Sequence, residues 1–291
     1  MEFHLSNEQK IKFEEQGLLV IPEFFDPKPL FAEAKALLDD FTLEGHPLTQ
    51  FTTKDSHVGD EYFLESGDKI RFFFEPDAFV DGKLTREKEL AINKIGHGLH
   101  IGNKTFSDFT LANENIKNLA KELKYHQHPL VIQSMIICKQ PEIGGAVHSH
   151  DDSTFLYTEP LSALGFWFAL QDCTQCNGCL AYIPGSHKVN KINKRLVRVD
   201  GGAKGTKIVS IAKEGDAPNP DWDNSEQEWV TVECKAGDLV LIHGSVIHRS
   251  EKNLSKNSRF IYTFHMIERD ANYDDINWLQ TPNKPFTSLL A

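Results

Sequence analysis

Gly144-Gly145-Ala146-Val147-His148-Ser149-His150-Asp151-Asp152 is the stretch on which the reading of this chain turns. On an extended strand, residues two apart point to the same face. His150 and Asp152 can therefore bring one imidazole and one carboxylate to the same point. Two histidines and one carboxylate, with the remaining positions open, are the ligand set of non-haem iron(II) oxygenases. The second histidine must then come from far along the chain, and His248, 98 residues after His150, is the candidate. Taken alone, His-x-Asp is a common triplet whose plain reading is a polar loop. His148 shares the same face and is a rival ligand. Three ligands from one local strand would crowd a metal and leave His248 unexplained, so His148 is expected beside the site or in solvent. His243 competes with His248 in the same way.

The segment after His248 strengthens the metal reading. Arg259 lies 11 residues further on and opens the apolar run Arg259-Phe260-Ile261-Tyr262-Thr263-Phe264. A planar guanidinium binds a carboxylate through two parallel hydrogen bonds. A dicarboxylic co-substrate could reach the metal at one end and this arginine at the other.

Working outward, the chain beyond Pro129 reads as short β runs separated by turns, the pattern of a sandwich or barrel. Strands are expected near Val131–Lys139, Gly145–His150, Thr154–Thr158, Leu164–Leu170, Cys179–Ile183, Glu228–Glu233, Leu239–Ile242, Val246–Arg249 and Arg259–Met266. Residues 188–225 form a long insertion, basic first and acidic later, and a partly mobile lid or substrate loop is expected there. The N-terminal part is richer in helix. Ser6 and Gln9 form a capping-box pair with Leu5 as a staple, and Gly17 is placed to end that helix. Asp26, Pro27 and Pro29 open a second helix with Leu30, Ala34, Leu37, Leu38 and Phe41 on one face. A polar loop over 45–60 would leave His46 and His57 solvated. Residues 88–109 read as helical, with a second helix over 113–124, and on that reading Lys94 lies on a solvated helix face.

Composition bounds the rest. Hydrophobic residues make up 40% and charged residues 25% of the 291-residue chain, ordinary values for a globular protein. A net charge of −11 argues against nucleic acid or an anionic membrane as the main partner. The start of the chain lacks the basic and apolar pattern of a signal peptide, and Ser288-Leu289-Leu290-Ala291 is not a peroxisomal address. The cytoplasm is the expected compartment. Cys173-x-x-Cys176-x-x-Cys179 has the spacing of a metal motif, but thiols of a reducing compartment are the favoured reading.

His150-x-Asp152, His248 and Arg259 resemble the iron triad and co-substrate arginine of the phytanoyl-CoA dioxygenase family. Phe63-Leu64-Glu65-Ser66-Gly67-Asp68-Lys69-Ile70-Arg71-Phe72-Phe73-Phe74-Glu75, Ile92-Asn93-Lys94-Ile95-Gly96-His97, Val131-Ile132-Gln133-Ser134-Met135, Phe155-Leu156-Tyr157-Thr158-Glu159-Pro160 and Ile183-Pro184-Gly185-Ser186-His187 are similar as well. These blocks run in order over most of the chain. The resemblance implies a mainly β fold, a double-stranded β-helix (jelly roll, cupin-like) with flanking N-terminal helices. It implies one domain over 1–291, with a helix-rich part over 1–128 packed on a β-helix core over 129–270. It implies Fe(2+) held by His150, Asp152 and His248. It also implies 2-oxoglutarate as co-substrate, contacted by Lys94, Met135, Trp167 and Arg259, and dioxygen as a reactant, with ascorbate assisting. Conversion of 2-oxoglutarate to succinate and carbon dioxide would accompany hydroxylation of a small molecule, an acyl-CoA or lipid-like compound being the class that the family's name suggests. A monomer is expected. Without the resemblance, Trp167 reads as core packing; with it, His187 is expected to serve a structural turn. Three alternatives stay open: a related halogenase, against which Asp152 argues; a catalytically silent sensor on the same fold; and a cupin-type metal protein, from which Arg259 is the discriminator.

Overall fold

Ser6 caps the first helix through the reciprocal bonds its spacing predicts: its Oγ accepts from the Gln9 amide, and the Gln9 side chain accepts from the Ser6 amide. Gly17, with φ of +77°, ends the helix in the left-handed region. In this computed structural model, residues 3–50, 61–215, 218–224 and 226–290 are described. The order begins with α1 (Asn7–Gln16), β1 (Leu18–Ile21), α2 (Lys28–Asp40), α3 (Glu61–Leu64), β2 (Ile70–Phe74) and a small hairpin of β3 (Phe79–Val80) and β4 (Lys83–Leu84). It continues with β5 (Ile92–His97), α4 (Leu99–Gly102), α5 (Lys104–Leu111) and α6 (Glu114–Leu123). The later strands are β6 (Pro129–Lys139), β7 (Val147–His150), β8 (Leu164–Ala169), β9 (Leu180–Tyr182), β10 (Lys194–Arg198), β11 (Thr206–Ser210), β12 (Val230–Val232), β13 (Leu239–His243), β14 (His248–Ser250), β15 (Arg259–Glu268) and β16 (Thr287–Ser288).

Apart from the separate hairpins β3-β4 and β10-β11, the described strands make two antiparallel sheets. The larger runs β1-β13-β8-β15-β6-β5-β2, with β16 added on β6; the smaller runs β12-β9-β14-β7. Side chains that alternate along each strand separate two cores. Phe166 and Phe168 of β8 and Tyr262 and Phe264 of β15 face outward, against Leu30, Ala34 and Leu38 of α2, Phe106 of α5, and Ile116 and Leu119 of α6. Their neighbours Trp167, Ala169 and Ile261 face inward, against Leu180 and Tyr182 of β9 and Val232 of β12. The result is a mainly β fold, a double-stranded β-helix with helices covering one face of its larger sheet, as the resemblance implied. No helix among the described residues is long and apolar enough to cross a membrane.

Four local expectations need correction. The helix expected over 88–109 is interrupted by β5, which pairs with β2 on one side and β6 on the other. The register shifts there, Phe73 facing Lys94 and Phe74 facing Ile92, so Asn93 is an extra residue. That bulge puts Ile92 and Ile95, three apart, into the same outer core and imitates a helical period. The strand expected over Thr154–Thr158 is absent; a 3₁₀ turn spans Asp152–Thr154 instead, because the Asp151 carboxylate accepts the Thr154 amide at 2.7 Å. The 188–225 insertion is in part regular. Strands β10 and β11 form a hairpin tied down by Arg198, which donates to the Trp278 and Leu64 carbonyls, and by the Arg195–Asp274 ion pair. His46 is half-buried, bonded to the Tyr62 hydroxyl at 2.6 Å and set against the Phe41 ring. His57 lies outside the described residues.

Candidate active site

His150 and His248 are placed opposite each other by strand pairing: they are direct partners in the β7–β14 register. Their ring centroids are 4.2 Å apart. Each ring is oriented by the same local device. The Nδ1–H of His150 donates to the His148 carbonyl at 2.8 Å, and the Nδ1–H of His248 donates to the Val246 carbonyl at 3.1 Å. The Nε2 lone pairs are thereby left to face a common point. Asp152 reaches that point by a route the sequence does not suggest. The strand stops at His150, and the turn capped by Asp151 swings the Asp152 carboxylate inward. Its Oδ1 lies 3.8 Å from His150 Nε2 and 3.7 Å from His248 Nε2. All three ligand atoms lie within 4.8 Å of one another.

This donor set, two imidazoles and one carboxylate, suits a divalent transition metal. Burial, and then the neighbouring His248, push His150 down to about 4, so its ring is neutral at physiological pH. Burial alone would raise the Asp152 carboxyl. The surrounding His265, His248 and His150 outweigh it and hold the group well below the usual carboxylate range. Ligands in these protonation states bind a metal without first losing a proton.

Deeper in the barrel lies Arg259, 1% exposed, at the start of β15. Its Nε and Nη1 have no hydrogen-bond partner among the described residues, and its guanidinium lies 5.5 Å from the Trp167 ring centroid. Burying such a group without an acceptor is costly, so the geometry calls for an anion there. The wall between Arg259 and the triad includes Met135, Thr263 and Trp167, which are cross-strand partners on β6, β15 and β8. Lys94, one step along on β5, faces Ile137 of β6 and is buried. It therefore lies on a barrel strand, not on the solvated helix face that composition suggests. Burial pushes its ammonium down to about 7.

The other histidines separate cleanly. His148 is exposed. His243 is held by the Tyr125 hydroxyl at 3.1 Å and accepts the Ser245 amide, away from the triad. His187 bonds the Glu14 carbonyl and lies tilted against the His243 ring, a structural place beside its turn. Cys173 and Cys234 face each other across an isolated antiparallel bridge. Two residues beside the triad escape a reading of the sequence. His265 Nε2 lies 3.3 Å from Asp152 Oδ2, and Gln133 Nε2 lies 3.2 Å from His265 Nδ1. Alternation from Arg259 through Ile261 and Thr263 to His265 is the available signal.

Known proteins share this architecture. The sequence profile of the family described as phytanoyl-CoA dioxygenase (PhyH) matches residues 13–261. A phytanoyl-CoA dioxygenase domain-containing protein 1 homolog of Caenorhabditis elegans is 43% identical over 288 residues, 96% of this chain and 97% of that one. A phytanoyl-CoA dioxygenase of Arabidopsis thaliana is 42% identical over 287 residues, 97% of this chain and 95% of that one. Among solved structures, the non-haem alpha ketoglutarate dependent carbocyclase SnoK from nogalamycin biosynthesis superposes with a TM-score of 0.62. The two are 21% identical, over 94% of this chain and 87% of that one. EctD from S. alaskensis, solved with 2-oxoglutarate and 5-hydroxyectoine, superposes with a TM-score of 0.63 at 17% identity, over 97% of this chain and 82% of that one.

Proposed function

The chain belongs to the phytanoyl-CoA dioxygenase family, and on that premise we propose that it is an iron(II)- and 2-oxoglutarate-dependent hydroxylase of a small molecule. The observation that carries the reading is the pairing of two features in one barrel: a His-Asp-His cluster and a buried guanidinium whose Nε and Nη1 meet no partner among the described residues. His150, Asp152 and His248 would hold the metal. Arg259 would take the distal carboxylate of 2-oxoglutarate through its fork of donors. Lys94 adds positive charge to the same wall, while Met135 and Trp167 give the co-substrate's methylenes an apolar surface. Iron, 2-oxoglutarate and dioxygen together supply the oxidising power, with succinate and carbon dioxide released. The chain's own part is to bind, orient and keep water from the reacting groups. Residues 1–291 act as one domain in this reading, as a monomer in the cytoplasm, and the substrate is an acyl-CoA or lipid-like compound.

The test is succinate formation from 2-oxoglutarate with iron(II) and ascorbate, without primary substrate and then with a panel of acyl-CoAs and lipids. Slow succinate release without substrate is expected, and faster release with the right one. No succinate at all, with metal and 2-oxoglutarate both shown to bind, would leave a silent sensor as the function.

A further inference from the structure

We propose that His265 and Gln133 are positioning residues for the metal-binding carboxylate, an inference that rests on the iron reading above. The two oxygens of Asp152 meet different partners. Oδ1 faces His150 and His248, at 3.8 and 3.7 Å; Oδ2 faces His265 Nε2 at 3.3 Å. An ionised carboxylate only accepts, so the ring's Nε2 must carry the hydrogen. With the hydrogen on Nε2, the ring's Nδ1 is left to accept, and Gln133 Nε2–H is the donor that meets it, at 3.2 Å. The hydrogen bonds therefore run in one direction, from amide to ring to carboxylate.

The fold supports this relay on both sides. Gln133 and His265 are direct cross-strand partners on β6 and β15, with a register shift immediately after His265. On the other flank His265 pairs with Gly165 of β8. A Cβ at Gly165 would already touch both Asp152 Oδ2 and His265 Nε2 at 3.4 Å, so any larger residue would press into the bond. All three polar residues are buried, Gln133 at 5%, His265 at 8% and Asp152 at 9% exposed. The consequence is chemical. A carboxylate with both oxygens free can bind a metal through both and occupy a position that a chelating co-substrate needs. Tying Oδ2 to the barrel wall would leave Oδ1 as the oxygen that Asp152 offers to a metal, and would keep the remaining positions free for a co-substrate.

The experiment compares His265→Leu, which cannot donate, with His265→Gln, whose amide can restore a donor near Nε2. The probes are Mn(II) titration of the full-length apoprotein under nitrogen and the visible absorption band of the anaerobic iron(II)–2-oxoglutarate complex. Thermal unfolding confirms that each variant is folded. His265→Leu is expected to weaken Mn(II) binding about 10–100-fold and to shift the band, with His265→Gln recovering most of both. Gln133→Leu, which frees the ring to turn, is expected to shift the band in the same direction with a smaller loss of affinity; it stands in should His265→Leu fail to fold. Wild-type affinity and an unmoved band in folded His265→Leu, or in Gln133→Leu where it stands in, would overturn the relay alone. Failure of the wild-type protein to bind Mn(II) would overturn the iron reading beneath it.

Discussion

Arg259→Leu will lower 2-oxoglutarate affinity by more than about two decades while leaving metal affinity near that of the wild type. The guanidinium is fully buried and its Nε and Nη1 meet no acceptor within the described chain. One charge-assisted hydrogen bond is worth on the order of 1.5–3 kcal/mol, which is about one to two decades in affinity. Arg259→Lys keeps the charge and loses the fork, so it should lose about that much. Leucine removes charge and fork together and should lose more. Neither change touches the triad, which the intervening wall of Met135, Thr263 and Trp167 separates from Arg259. Calorimetry with manganese in place of iron reads both affinities in one experiment. Unchanged 2-oxoglutarate binding in Arg259→Leu would end the assignment and reopen a cupin-type metal site without this co-substrate.

Asp152→Ala should abolish metal binding at any practical concentration, a loss beyond the roughly 10–100-fold typical of removing a ligand's supporting partner. The carboxylate is the cluster's single anion, and the three imidazoles around it already hold it ionised. Its removal would also leave His150 and His248 facing each other at short range with no charge between them. Asp151→Ala is the control. Asp151 caps the Thr154 amide and accepts from Asn190 at 3.2 Å, so its loss should loosen the turn and reduce affinity less. Metal titration of both variants decides the register: binding retained in Asp152→Ala and lost in Asp151→Ala would move the ligand by one residue.

Much of this architecture is legible in the sequence alone, and the failures have local causes. Ser6, Gln9 and Gly17 bound α1 because capping depends on near neighbours only. The strands around Trp167 and Tyr262 are legible because both faces are apolar and the flanking turns are marked. Strand β5 is not, since the bulge at Asn93 converts a two-residue period into a three-residue one. The turn at Asp152–Thr154 is hidden for a different reason: Asp151 reads in sequence only as a neighbour of a ligand, when its own side chain ends the strand. The proposed triad and Arg259 are legible through their spacing together with the resemblance to the family, since His-x-Asp alone is a common triplet. His265 does not, because its place beside Asp152 exists only once β15 is registered against β8 and β6.

The pairing of His150 with His248 also bears on which part of the protein loosens first. Strand β7 is four residues long, lies at the margin of the smaller sheet, and among the described strands is paired with β14 alone. Hydrogen bonding by itself leaves such an edge prone to local opening. A metal held across the two strands would act as a reversible cross-link between segments 98 residues apart. By mass action it would add about 2.7 kcal/mol to folding stability at a free concentration of 100 Kd. Amide hydrogen exchange over 147–150 should therefore slow sharply when metal is added, while exchange in the centre of β15 changes little. The site that would perform the oxidation would thus also serve as the clasp that closes its own end of the barrel.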